Sequence, residues 1–162
     1  MRAELTQQEK GYKAVFERRL EHGTGEVWSM LTDNSRLQQW FDELRMGESG
    51  KGGKLIFDSG NGAAEELEIT DYEEGRVFAF QWWADHVRFE VEEEGTGTSV
   101  LRLIETIQRI TPQTAKDLAG WHVCLDAIGA ILDDEGLDRE SEWQHWHEEY
   151  KRLLTSMTVE FE

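Results

Sequence analysis

Two residues of this chain place a polar group among apolar neighbours, where it could do chemistry. Glu105 ends the row Leu101, Leu103, Glu105 on one face of a strand expected over 98–108. Pointed inward, its carboxyl leaves water, its pKa rises, and it can orient a polar group of a bound molecule. Pointed outward, it is an exposed residue at a strand end, and Arg102 falls on the face opposite to it. His122 follows Trp121 and lies four residues after Leu118, bordering a helical apolar stripe. It suits a general base or ligand contact, or else a satisfied histidine of the core or rim.

Other candidates fail on spacing. His145 and His147 are two apart, so on a helix they diverge and cannot make the i, i+4 pair of an HExxH zinc site. His86 sits at a turn and His22 at a strand end. No group of residues has metal-ligand spacing, no nucleophile, base and orienter form a set, and no serine lies in a G-x-S-x-G elbow. Gly47, Gly50, Gly52 and Gly53 lack Walker spacing, and Lys54-Leu55-Ile56-Phe57 after them reads as a strand, not a helix. Cys124, between Val123 and Leu125, reads as a small buried residue and not a nucleophile. The expectation is no catalytic residue, no metal and no cofactor.

Tryptophan is dense, with seven among 162 residues. Trp28, Trp40, Trp82, Trp83 and Trp121 all fall in or beside expected elements. Such residues fill a core, or they line a cavity with flat apolar walls and an indole N–H.

The elements that position these residues are legible from pattern. Residues 1–10 are polar and read as a tail. Tyr12, Ala14, Phe16 and Leu20 mark a strand over 12–21. Two short helices follow at 25–32 and 34–41, with Thr24 able to cap the first and Asp33 the second. Strands are expected at 53–58, 64–72, 76–84, 86–94 and 98–108, with turns short enough to imply an antiparallel meander. On the strand over 76–84, Phe78, Phe80 and Trp82 share one face, but the other is apolar too, so alternation does not say which is inside. Thr111-Pro112 opens a long helix with the stripe Leu118, Trp121, Leu125, Ile128 and Leu132, ended by Gly136. A further stripe, Trp143, Trp146, Tyr150 and Leu153, lies within 138–155. It covers the domain's own surface, makes a dimer contact, or forms a lid.

Composition narrows the partners. The formal net charge is −17, from 34 acidic and 17 basic residues, which repels nucleic-acid phosphates and anionic membranes. One cysteine allows no internal disulfide, and there is no apolar leader or spanning segment, which fits the cytoplasm.

The order of elements resembles START-like helix-grip (SRPBCC) domains. Several motifs look specifically like the family named after the activator of the ninety-kilodalton heat-shock protein ATPase. These are Glu26-Val27-Trp28 with Leu31-Thr32-Asp33 and Trp40, Gly52-Gly53-Lys54, and Phe80-Gln81-Trp82. Val87 with Phe89-Glu90-Val91, Thr98 to Leu103 with Glu105, and Gly120-Trp121-His122 with Leu125 complete the set. Trp143, His147 and Tyr150 look like the C-terminal extension of bacterial single-domain members. Where the family often has a Ser-Gly-aromatic turn after Glu105, this chain has Thr106-Ile107-Gln108.

The resemblance implies an α+β fold: a curved antiparallel β-sheet wrapped around a long C-terminal helix, with two short helices after the first strand. It implies a START-like domain over 11–136 and a helical extension over 137–162. It also implies a deep cavity for a hydrophobic small molecule and no shared catalytic residues. The expected lining from the strands and short helices is Trp28, Trp40, Phe57, Phe80, Trp82, Phe89, Leu101, Leu103 and Glu105. From the long helix it is Leu118, Trp121, His122 and Leu125. The function expected is non-catalytic binding of a lipid-like or aromatic molecule, with a stress-related role left open. An enzyme resembling polyketide cyclases and aromatases is the first rival. A chaperone-ATPase co-factor is the second, although the named activators carry an additional N-terminal domain for which this chain has about ten residues. The partner expected is a hydrophobic small molecule, with no nucleic acid and no membrane, and a homodimer is left open.

Overall fold

Alternation of apolar and polar side chains sets the first half of the chain. In Ser99–Ile107, residues 99, 101, 103, 105 and 107 are all buried, while Arg102, Ile104 and Thr106 reach solvent. Val87, Phe89 and Val91 repeat the pattern in Asp85–Glu93. These are the last two of eight strands in the computed structural model, which describes residues 2–60 and 62–159. The strands are β1 (Glu4–Gln7), β2 (Tyr12–Leu20), β3 (Leu44–Glu48), β4 (Lys54–Asp58), β5 (Ala64–Glu73), β6 (Val77–Trp82), β7 (Asp85–Glu93) and β8 (Ser99–Ile107). They form one antiparallel sheet in the order β1-β2-β8-β7-β6-β5-β4-β3. The sheet and the helices α1 (Thr24–Thr32) and α2 (Asn34–Trp40) make a compact unit ending at Gln108. A second unit, from Arg109, holds α3 (Pro112–Leu132) and α4 (Arg139–Val159).

Register resolves what alternation left open in β6. Phe78 pairs with Phe89, which pairs with Leu103; Phe80 pairs with Val87, which pairs with Glu105. Phe78, Phe80 and Trp82 therefore share the face of Leu101, Leu103 and Glu105. The opposite face carries an ion-pair ladder in which Arg88 meets Asp71 and Glu90, and Arg102 meets Glu17 and Glu92, at 2.8–2.9 Å. Arg102 is on the outer face, as its spacing predicts.

Local chemistry fixes the boundaries. Asp33 caps α2, its carboxylate accepting from the Ser35 N–H. Thr111 caps α3 in a capping box with Thr114, followed by Pro112 at the first turn. Thr111→Ala will cost about 1 kcal/mol of stability, read by urea denaturation. Gly11 is required in the β1–β2 turn: its φ is +90°, and a Cβ there would lie 2.3 Å from the Ile107 carbonyl.

Besides the strand Leu44–Glu48, which the sequence reading did not expect, three features differ from it. α1 starts at Thr24 with Gly23 as its N-cap, so Thr24 lies inside the helix instead of capping it. α3 ends at Leu132, not Gly136. Asp134 adopts φ +54°, and Glu135 and Asp134 donate back to the Ala130 and Ile131 carbonyls, closing the helix by a Schellman motif without glycine. Within the polar segment 1–10, Glu4–Gln7 is a strand paired to Tyr12–Val15. A backbone ladder formed it where no apolar periodicity marked it.

A side chain also finishes one sheet edge. Asn34, at the start of α2, accepts from the Met46 N–H at 2.6 Å and donates to the Met46 carbonyl at 3.2 Å. Met46 lies in β3, which is last in the strand order.

Candidate functional site

The apolar face of the first unit is an aromatic network. Trp28 meets Tyr72 edge-on at 5.5 Å between ring centroids, and Tyr72 meets Phe78 at 6.2 Å. Phe78 contacts Phe80 and stacks on Phe89. Phe80 passes the contact to Trp82 at 5.9 Å, and Trp82 to Phe57 at 6.2 Å and Trp83 at 4.8 Å. The helices cover this face through Trp40, edge-on to Phe89 at 6.1 Å, and Phe41 immediately after α2 meets Trp82 at 5.9 Å. The Trp40 indole N–H is held by the Met30 carbonyl at 2.7 Å. Edge-to-face geometry of this kind adds to the burial of each ring.

The network's middle is closed and its ends are open. Phe80, Phe89 and Trp40 are buried, whereas Tyr72 and Phe57 are half-buried. Trp83 is 46% exposed, the one exposed large apolar side chain among the described residues. Its backbone has φ +52°, a left-handed conformation that bulky residues rarely take. The tight turn between β6 and β7 imposes it, and the ring is held over Phe57 at 5.2 Å with its N–H on Glu65.

Glu105 lies on the same face, wholly buried, between Ala14 of β2 and Val87 of β7. Of the two readings its spacing allowed, the structure places it inside. The seven strand residues expected from the first unit therefore share one face, and Trp28 and Trp40 pack onto that face from α1 and α2. Phe41, Tyr72 and Phe78 join them without having been assigned to the lining. Tyr72 was hidden by a bulge at Thr70, which shifts the β5 register between Ile69 and Asp71 and turns Tyr72 inward.

On the outer face, His86 bonds Thr70, the bulged residue, with 2.6 Å between Nε2 and Oγ1. Burial, aided by the nearby Arg88 cation, lowers the His86 pKa below its usual 6.5. The neutral ring is thus favoured on folding. Its contribution to stability is complete above about pH 6.5 and is lost as pH falls from there through the lower folded value. An NMR titration of the His86 ring will show a midpoint below 6.5, and Thr70→Val will move it.

In the second unit, Leu118, Trp121, His122 and Leu125 are all buried on α3. His122 is committed to local partners. Its Nδ1 is 2.8 Å from the Tyr150 hydroxyl, its Nε2 is 3.3 Å from Asp126, and the Trp146 ring stacks on it at 3.8 Å. The Asp126 contact follows i, i+4 spacing and was readable in the sequence. The α4 contacts were not. Trp146 and Tyr150 of the trailing stripe cover α3, whereas Trp143 lies against His147 at 4.7 Å.

Known proteins share this architecture. The family model described as "Activator of Hsp90 ATPase homolog 1-like protein" matches residues 23–133. A conserved protein of unknown function from Enterococcus faecalis, EF2215, has a TM-score of 0.80 at 25% identity, over 93% of this chain and 91% of that one. CalU16 from Micromonospora echinospora has a TM-score of 0.72 at 21% identity, over 93% and 97%. The Aha1 dimer from Colwellia psychrerythraea has 0.64 at 16% identity, over 74% and 95%. No curated protein matches the chain.

Proposed function

The chain belongs to the activator of Hsp90 ATPase homolog 1-like family and has the α+β helix-grip fold, and from that premise we propose that it binds a hydrophobic or amphipathic small molecule without transforming it. The observation that carries this reading is the aromatic network, closed at its centre and open at Tyr72, Phe57 and Trp83. The contacts assigned to the molecule in the first unit are Trp28, Trp40, Phe57, Phe80, Trp82, Phe89, Leu101 and Leu103, with Glu105 orienting a polar group. In the second unit they are Leu118, Trp121, His122 and Leu125 on α3, where His122 would exchange a present partner for the ligand. Burial of about 200 Å² of apolar ligand surface gives roughly 5 kcal/mol before ordering costs, which means a Kd of about 0.2 mM or weaker. The reading places the protein in the cytoplasm, supported by its single cysteine.

The test is native mass spectrometry of the purified protein, then solvent extraction and identification of what is released. A bound lipid, isoprenoid or aromatic compound is the expected result. A bare-chain mass, together with no saturable binding of such compounds, would overturn the reading.

The buried carboxyl of Glu105 favours one second reading, an enzyme of the polyketide cyclase or aromatase type with Glu105 as acid or base. Glu105→Gln separates the two: a binder keeps most of its affinity, whereas an acid–base enzyme loses turnover. The family's name also suggests stimulation of a ninety-kilodalton heat-shock ATPase, which a coupled ATPase assay checks. Self-association as a homodimer is checked by sedimentation.

A further inference from the structure

A groove of about 490 Å³ runs between the start of α3 and the outer half of α4. Its apolar floor is Ile110, Pro112, Ala115 and Leu154. Its rim is cationic, with Lys116 on one bank and Lys151 on the other, and His147 between Lys151 and the start of α4. No aspartate or glutamate is among its lining residues, in a chain with 34 of them and a net charge of −17. Lys151 also pairs with Glu148, outside the lining, at 2.7 Å, so its ammonium is shared between that carboxylate and the groove.

We propose that this groove binds a free medium-chain carboxylate, its alkyl chain on the apolar floor and its anionic head between Lys116 and Lys151. Charge complementarity selects the occupant. Elsewhere this acidic surface repels an anion, so a carboxylate gains by seating here, whereas a cationic amphiphile of the same length does not. Lys151 lies midway along the α4 stripe His147, Lys151, Leu154 and Thr155, about 6 Å from either end, so the alkyl chain lies across the floor of Leu154, Ala115, Pro112 and Ile110 and not along α4. The groove is open along its length, so one side of the chain stays wet and affinity is modest, with Kd on the order of 1 mM. This proposal is independent of the one above, because none of the groove's lining residues is among the contacts assigned there.

The test is titration of the ¹⁵N-labelled full chain with sodium decanoate, followed by two-dimensional NMR, beside decyltrimethylammonium as the cationic comparator. Saturable shifts are expected at Ala115, Lys116, His147, Lys151 and Leu154, with weaker response to the cation. Lys116→Glu with Lys151→Glu will weaken decanoate binding at least tenfold, and the corresponding glutamine pair will weaken it less. Both lysines are exposed, so unchanged thermal melting of the variants confirms that the fold is kept. The proposal is overturned if decanoate shifts are confined to the first unit, as at Trp28 and Phe89. It is also overturned if charge reversal leaves Kd unchanged, if the cation binds equally well, or if sedimentation shows a second copy of the chain filling the groove.

Discussion

Trp40→Ala will destabilise the protein by about 3–5 kcal/mol, lowering the midpoint of thermal unfolding by on the order of 10 °C. The indole is 1% exposed, so truncation leaves a cavity next to Phe89 and Phe41 that neighbours cannot fill. It also strips the Met30 carbonyl of its donor. Trp40→Phe separates the two losses. It keeps a ring on Phe89 but leaves that carbonyl unpaired by indole, at about 1–3 kcal/mol. Chemical denaturation of the three proteins, followed by tryptophan fluorescence and circular dichroism, measures both. Equal losses for the two variants would assign the effect to the hydrogen bond and not to packing.

Tyr150→Ala will release α4. That helix is mostly polar, and a solitary polar helix of 21 residues gains its order from packing more than from propensity. Tyr150 is fully buried and holds His122 through its hydroxyl, so its removal deletes a ring and exposes a buried imidazole nitrogen at once. The expected cost is about 3–5 kcal/mol. Trypsin will then cut after Lys151 and Arg152 under conditions that leave the parent chain intact. Tyr150→Phe, which removes only the hydroxyl, will cost about 1–3 kcal/mol and leave the helix protected.

The sequence reveals periodicity and caps more readily than contacts made by turns and bulges. The meander, the capped start of α3 and the outward position of Arg102 were legible because alternation, hydroxyl–proline pairs and strand parity are local. β3 was missed because Gly47, with a register shift between Met46 and Glu48, breaks its alternation. The apolar face of β6 could not be chosen, since both faces are apolar and only pairing with β7 decides. The seven strand residues expected from the first unit share a face because strand parity forces them to, whereas Trp28 and Trp40 reach it from the helices. The role of His122 was open for the opposite reason: its Tyr150 and Trp146 partners are 28 and 24 positions away, on a helix whose docking no local pattern encodes.

The asparagine at the start of α2 has a consequence for assembly. By bonding both main-chain groups of Met46, Asn34 presents to the last strand what a ninth strand would present. An incoming peptide cannot extend the sheet at that position without first displacing the amide. The opposite border is β1, four residues carrying Glu4, Thr6 and Gln7, a short and polar template for pairing. Strand addition, the usual route by which open sheets recruit peptides or polymerise, is thereby discouraged at both borders.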